Sequence, residues 1–254
     1  MIKISLITAC FNSVNTISDT IQSIKCQTYS NVEYVIVDGG SKDNTLAVIS
    51  QYLDNNTILI SEPDNGIYDA LNKGIGLATG EVIGFLHADD VYAHRDVLAN
   101  IVAAFEDPEI SAVYGDLQYV RKDNLFHVVR HWKSSVFNEQ SLERGWMPPH
   151  PTLYVRRDWY EKVGGFDTRY KIAADYFSIL RLFSMPNFNA VYLPEVLVKM
   201  RLGGASNRSM RAIASKSFED WDALKRNGFS AIKALKALGL KNFSKLSQFF
   251  VFNR

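Results

Sequence analysis

Val35-Ile36-Val37-Asp38-Gly39-Gly40-Ser41-Lys42-Asp43-Asn44-Thr45 is an apolar run that ends in an acid, turns through two glycines and starts a helix. A short continuous apolar run bounded by turn residues reads as a strand buried on both faces. The same succession recurs on either side of it. Ile2 to Ala9 reads as a strand, and Ile17, Ile21 and Ile24 fall on one helix face behind it. Beyond Thr45 to Leu53, a helix, come a strand at Ile58 to Ser61, a helix at Tyr68 to Ala78 and a strand at Val82 to Leu86. A helix from Asp96 to Phe105 and a strand at Ala112 to Val120 follow. Strands alternating with helices require right-handed crossovers, and so predict an α/β fold with a mostly parallel central sheet flanked by helices. In such sheets ligands collect at the carboxyl ends of the strands, which singles out the loops after Ala9, Val37 and Leu86.

The second half is less regular. Phe126 to Trp132 reads as a strand, and three prolines make Trp146-Met147-Pro148-Pro149-His150-Pro151 a loop. A strand at Pro151 to Arg156, a helix at Ala173 to Phe183, an extended segment at Val191 to Met200 and a Gly203-Gly204 turn complete a domain that spans residues 1–206. With 47% hydrophobic and 22% charged residues, the 254-residue chain has an ordinary globular composition. The N-terminus has no basic leader or cleavage site, which predicts a cytoplasmic protein. No run approaches the roughly 18 apolar residues of a membrane span. Cys10 and Cys26 read as buried thiols rather than a bridge.

The net charge of +1 conceals an asymmetry. Residues 207–254 hold ten Lys/Arg and three Asp/Glu, against eighteen and twenty-four in the rest. In this tail Ile232, Leu235, Leu238, Phe243, Leu246, Phe249 and Phe250 interleave with Lys233, Lys236, Lys241 and Lys245, with Gly228 and Gly239 as candidate breaks. That pattern describes an amphipathic helix on an anionic membrane surface, or one docked on its own domain. Basic residues set among aliphatic side chains argue against nucleic acid.

Four segments could carry chemistry. Asp38, at a strand's carboxyl end before two glycines, could accept a hydrogen bond from a ligand, or the loop could simply cap the helix through Asp43 or Asn44. In Phe85-Leu86-His87-Ala88-Asp89-Asp90, two carboxylates directly after an apolar strand suit Mg²⁺ or Mn²⁺, or a helix N-terminus. Glu62 to Gly74 runs from turn chemistry into a helix on which Asp69, Asn72 and Lys73 share a face, either solvated or offered to a phosphate. In Ile172-Ala173-Ala174-Asp175-Tyr176 a carboxylate amid apolar residues could have a raised pKa and act as a general base, or could cap its helix.

Together these segments resemble the family 2 glycosyltransferases of GT-A fold, specifically small bacterial enzymes of capsule, exopolysaccharide and O-antigen assembly. The resemblance covers residues 1–206 and rests on six segments in order: Ile7-Thr8-Ala9-Cys10-Phe11-Asn12, Val37 to Ser41, Asp64 to Gly74, Asp89-Asp90, Val163-Gly164-Gly165-Phe166-Asp167 and Ala173 to Tyr176. It implies that Thr8, Ala9 and Phe11 line a base pocket, that Asp38 bonds the uracil or ribose, and that Asn72 and Lys73 sit near the diphosphate. It implies a divalent metal, Mn²⁺ or Mg²⁺, on Asp89 with Asp90 beside it, and Asp175 as catalytic base. Two departures stand out: His87 replaces the first acid of the Asp-x-Asp motif, and Ala174 stands where an acid often precedes the base. Arg201, before Gly203-Gly204-Ala205-Ser206, would meet the diphosphate, and Trp146 and His150 the acceptor or the core. The implied activity is inverting transfer of a hexose or N-acetylhexosamine from a UDP-linked donor to a lipid-linked sugar acceptor. Its implied place is the inner face of the cytoplasmic membrane, with a homo-oligomer left open. A dinucleotide-binding fold would need a glycine fingerprint where Cys10-Phe11-Asn12-Ser13 stands. A sugar nucleotidyltransferase would need a Gly/Arg/Lys-rich loop there, and a non-catalytic sugar-nucleotide-binding or scaffolding protein would need no base.

Overall fold

The computed structural model describes residues 1–203 and 210–247. Strands β1 (Ile4–Cys10), β2 (Val32–Asp38), β3 (Thr57–Ser61) and β4 (Val82–Phe85) form the parallel half of the sheet, in the order β3-β2-β1-β4. Helices α1 (Ile17–Lys25), α2 (Thr45–Ser50) and α3 (Ile67–Leu77) make the crossovers. Beyond β4 come β5 (Val91–Tyr92), α4 (Val97–Ala104), β6 (Ala112–Arg121), β7 (Asn124–Trp132), α5 (Glu139–Glu143), β8 (Tyr154–Arg156), α6 (Arg157–Val163), α7 (Ala174–Phe183) and β9 (Ala190–Arg201). Here the sheet is mixed. It runs β4-β8-β6-β9-β5, with β8 antiparallel to β4 and β6, β9 parallel to β6, and β7 folded back on β6 as a hairpin. The regular parallel pattern read from the first half thus stops where β8, only three residues long, turns the sheet over.

The strands alternate between two cores, as the two-residue period of extended chain requires. Ile4, Leu6, Tyr34, Ile36 and Val82 face α1 and α4. Ile7, Val35, Val37, Ile83 and Phe85 face α3 and α7. Helices α8 (Met210–Arg226) and α9 (Ala231–Ser247) lie on this second side, and their Ala223, Leu224, Ala234 and Ala237 belong to the same core. The boundary expected at residue 206 therefore divides segments that share one core. Gly228, with φ of +83°, separates the two helices, whereas Gly239 lies inside α9 and breaks nothing. Cys10 is a buried thiol as expected, but Cys26 is exposed, because it follows the last turn of α1 on the solvent side. No helix among the described residues is long and apolar enough to cross a membrane. Gly204, Ala205, Ser206, Phe249 and Phe250 lie outside the described residues, as do the side chains of Lys245 and Leu246.

One buried carboxylate ties the parallel strands together. Glu33 of β2 stands opposite Ser5 of β1 in the register and accepts its hydroxyl at 2.5 Å. It also takes the Lys3 ammonium at 2.7 Å and both the backbone N–H and the hydroxyl of Thr79, the turn leading to β4. Burial pushes the Glu33 carboxyl up, but these bonds outweigh it and hold the pKa down to about 2, from an ordinary 4.5. A depressed carboxyl stabilises the fold above its unfolded pKa and loses that contribution as the pH falls through the folded value. Glu33→Gln should therefore lower stability at neutral pH by about 2 kcal/mol and flatten its acid dependence below pH 4.5. Urea unfolding at neutral and acid pH checks both.

Candidate active site

A cavity of about 890 Å³ opens at the carboxyl ends of the parallel strands. The loop after β1 contributes Ala9, Cys10, Phe11 and Asn12, the turn after β3 contributes Asp64, and the turn after β4 contributes His87, Ala88 and Asp89. The opposite wall holds Tyr119, Arg130, Trp132, Trp146, His150, Asp175, Lys216 and Lys241. Two of the three loops that strand order singles out thus reach the cavity, and carboxylates 86 residues apart in sequence, Asp89 and Asp175, line the same space. Seven Lys/Arg against three Asp, and no Glu, make the described wall electropositive.

Asp175 sits in the first turn of α7, with its side chain 18% exposed. His150 Nδ1 lies 3.1 Å from its Oδ2, and the Tyr68 hydroxyl lies 3.3 Å from Oδ1 and donates to the Ile172 carbonyl at 2.7 Å. The prolines before His150 lead into a short 3₁₀ turn, His150–Thr152, pinned by Thr152 to Gly115 and Pro149, and this turn presents the imidazole to Asp175. His150 Nε2 faces His87 Nε2 at 3.4 Å. Burial, reinforced by His150, pushes His87 down to about 4. It also holds His150 below its ordinary value, with Asp175 opposing and Lys216 assisting. Both rings are therefore neutral at neutral pH. His150 donates its Nδ1–H to Asp175, and its Nε2 is left to accept from His87.

The raised pKa expected for Asp175 is not found. Burial does push it up, but His150, Lys216 and Lys241 outweigh that and hold the carboxyl below its usual range. Its surroundings in sequence are apolar, whereas its surroundings in space are cationic.

Residues 5–170 match the glycosyl transferase family 2 model. The chain belongs to this family. Its sequence is 32% identical over 208 residues to a PGL/p-HBAD biosynthesis glycosyltransferase of Mycobacterium bovis, covering 80% of this chain and 78% of the relative. It is also 32% identical over 228 residues to an uncharacterized glycosyltransferase of Nostoc sp., covering 85% and 70%. In structure it is similar to the mannosyltransferase PcManGT of Pyrobaculum calidifontis, solved with GDP-Man and Mn²⁺ (TM-score 0.66, 21% identity, 97% of this chain and 71% of that one). It is likewise similar to S. aureus TarS 1–349 with UDP-GlcNAc (TM-score 0.69, 17% identity, 99% and 74%). At these identities the structural likeness establishes the GT-A fold.

In this family 2 glycosyltransferase several motif residues build the frame of the cleft rather than its lining. Thr8 is fully buried, donating to the Leu86 carbonyl at 2.6 Å. Asp38 is also fully buried. Its oxygens accept from the Gly40 and Ser41 backbone N–H groups and from the Ser41 and Ser61 hydroxyls, so it closes the glycine turn and ties it to β3. Asn72 exchanges two 2.8 Å bonds with the backbone of Phe166 and clamps the Gly164-Gly165 turn. Lys73 is held outside the cavity by Glu62 at 2.7 Å and the Pro63 carbonyl. Arg201 lines the cavity, yet its guanidinium is engaged by the Asp89 carbonyl and by Asp19. Trp146 lines it too, packed on Tyr114, Phe137 and Phe183. Missed in the sequence were Asp64, hidden in a segment that reads as a turn, and Lys216, hidden in a tail that reads as a separate unit.

The donor set fits a divalent metal of the kind that relies on its substrate. Asp89 is on the cavity wall, and the adjacent His87 has an Nδ1 with no hydrogen-bond partner. Asp90 cannot join them as expected. Its side chain is fully buried against the Arg201 backbone, and burial together with the Asp89 charge pushes its carboxyl well above the usual range. No group of three metal-binding side chains exists among the described residues. Mg²⁺ or Mn²⁺ is commonly held by one or two carboxylates plus substrate phosphates, an arrangement that Asp89 at the cavity wall is compatible with. In an NMR titration of the imidazoles, His150 should titrate below 6.5. Asp175→Asn, by removing the anion that supports its protonated form, should move the midpoint lower still. An unmoved midpoint would show that the two side chains do not interact in solution.

Proposed function

We propose that the protein is an inverting glycosyltransferase that moves a hexose or N-acetylhexosamine from a nucleoside diphosphate to a sugar hydroxyl of a lipid-linked acceptor in bacterial surface polysaccharide synthesis. The observation that carries this reading is the shared cavity of Asp89 and Asp175. Phe11, 59% exposed at the cavity wall, offers an open aromatic face to the base, with Ala9 and Asp64 beside it. A UDP donor is favoured by the family resemblance. A divalent cation on Asp89, when bound, would offset the negative charge that builds on the departing diphosphate. Asp175 takes the proton of the attacking hydroxyl. It is ionised at neutral pH, and His150 and Tyr68 fix the orientation of its two oxygens. One carboxylate suffices for a single in-line displacement. Trp132, Trp146 and Tyr119 give the acceptor wall aromatic faces for sugar C–H groups.

The acceptor's lipid accounts for the outer face of α9. Ala234, Ala237 and Lys241 point inward, while Ile232 and Phe243, 83% and 74% exposed, stand with Leu235 and Leu240 on the solvent side beside exposed Lys233 and Lys236. Large aliphatic and aromatic groups left in water next to lysines suit the anionic inner face of the cytoplasmic membrane.

Sugar nucleotides of UDP, GDP and TDP, offered with Mn²⁺ or Mg²⁺ and a lipid-diphosphate sugar, should yield one product of inverted anomeric configuration, read by mass and NMR linkage analysis. Asp175→Asn should cut turnover by about 10²- to 10⁴-fold while leaving donor affinity by calorimetry unchanged. Full turnover in that variant would remove the assignment of the base. Replacing Ile232, Leu235 and Phe243 together by Ser should abolish co-sedimentation with phosphatidylglycerol vesicles without changing the thermal unfolding midpoint.

A further inference from the structure

The C-terminal helices reach the turn that carries Asp175. On α8, Lys216, Glu219, Asp220, Ala223 and Leu224 recur at the three- and four-residue spacing of a single helix face. Ala223 and Leu224 of that face enter the core. Its polar members converge on the start of α7. The Glu219 carboxylate accepts the backbone N–H groups of Lys171, Ile172 and Ala173 at 3.1, 2.8 and 2.9 Å. These residues lead directly into α7, whose N-cap residue Ala173 makes no side-chain cap bond of its own. The turn that leads into α7 is thus held by a carboxylate from 46 residues away. The Tyr170 hydroxyl, in the same approach, donates to Asp222 at 2.7 Å.

Next to Glu219, the buried carboxylate of Asp220 joins Lys216 at 2.9 Å and Lys241 of α9 at 3.1 Å. Both lysines line the cavity that holds Asp175 and hold its carboxyl down, while burial and the neighbouring Lys216 hold the Lys241 ammonium down to about 7, so that it carries its charge only in part at neutral pH. Lys241 is only 5% exposed, with its ammonium over the Tyr176 ring. Burying ions is costly unless they compensate one another. A tail that served only to cover the core would bury aliphatic side chains here, as it does one turn further along at Ala223 and Leu224.

We propose that α8 and α9 are part of the catalytic centre, with Glu219 as a positioning residue for the turn that carries Asp175 and the Lys216–Asp220–Lys241 cluster as the charge partner of that carboxylate. This rests on the reading of Asp175 as the base. The groups that face Asp175 are Tyr68 from α3, His87 after β4, Tyr119 of β6, His150 before β8, Lys216 of α8 and Lys241 of α9. Of these, Lys216 and Lys241 are the ones that the C-terminal helices contribute. Removing Lys216 takes away a cation, so the carboxyl should hold its proton to higher pH. Removing the Glu219 acceptor oxygens should loosen the turn and misdirect the base.

The test uses the full-length protein and the sugar nucleotide turned over in the donor screen. Glu219→Leu should lower kcat by roughly tenfold or more with donor KM unchanged. It should also speed amide exchange at residues 171–173, and Glu219→Gln, which keeps an acceptor oxygen, should restore most of both. Lys216→Met should move the acid limb of kcat, and the Asp175 midpoint in a ¹³C-carboxyl NMR titration, upward by about one pH unit. Should Glu219→Leu fail to fold, Glu219→Gln exchange rates and the Lys216→Met titration decide alone. Wild-type kcat, exchange and pH profile in these variants, alongside an inactive Asp175→Asn, would overturn the proposal and leave the base assignment standing. An active Asp175→Asn enzyme would remove the base assignment, and this proposal with it.

Discussion

An ionised carboxylate at the wall of a half-closed cleft is stable only if opposite charge and hydrogen bonds surround it, and Asp175 is the group around which this molecule meets that requirement. The 3₁₀ turn brings His150, α3 brings Tyr68, α8 brings Lys216 and α9 brings Lys241. Four segments far apart in sequence converge on one side chain. The second core, which holds α3 and α7 against the sheet and α8 and α9 in the same layer, is what makes the convergence geometrically available.

The cleft is accordingly built in two halves with different physics. The parallel strands, buried on both faces and pinned by Glu33, end in short loops that carry Phe11, Asp64, His87 and Asp89. The mixed half supplies the aromatic and cationic wall from the β6–β7 hairpin, the proline-fixed turn and the C-terminal helices. The first half suits a flat base and a diphosphate, and the excess of lysine and arginine over aspartate around the whole wall favours an anionic occupant.

Motif residues can also be what holds the motif in shape. Asp38 ties its own glycine turn to Ser61 of β3, and Asn72 clamps the turn at Gly164-Gly165. Asp90, adjacent to Asp89 in sequence, points the other way into the interior. Two neighbouring acids therefore meet opposite environments, one on the cavity wall and one under Arg201.

The sequence by itself determined the alternation of strands and helices and the parallel half of the sheet, which rest on periodicity and on residue types within a few positions of each other, as local sterics and burial enforce. Asp89 and Asp175 are singled out by the family resemblance of the segments around them. Tertiary structure alone decided how the strands of the mixed half pair, because a local apolar pattern marks a strand such as β8 but not its direction or neighbours, and the placement of the tail. It also decided the charge state of Asp175, read as raised from its apolar neighbours in sequence and found lowered by its cationic neighbours in space. Electrostatic compensation acts through distance, not along the chain, so Glu219, Lys216 and Lys241 read only as parts of a charged, amphipathic tail until the fold sets them against α7.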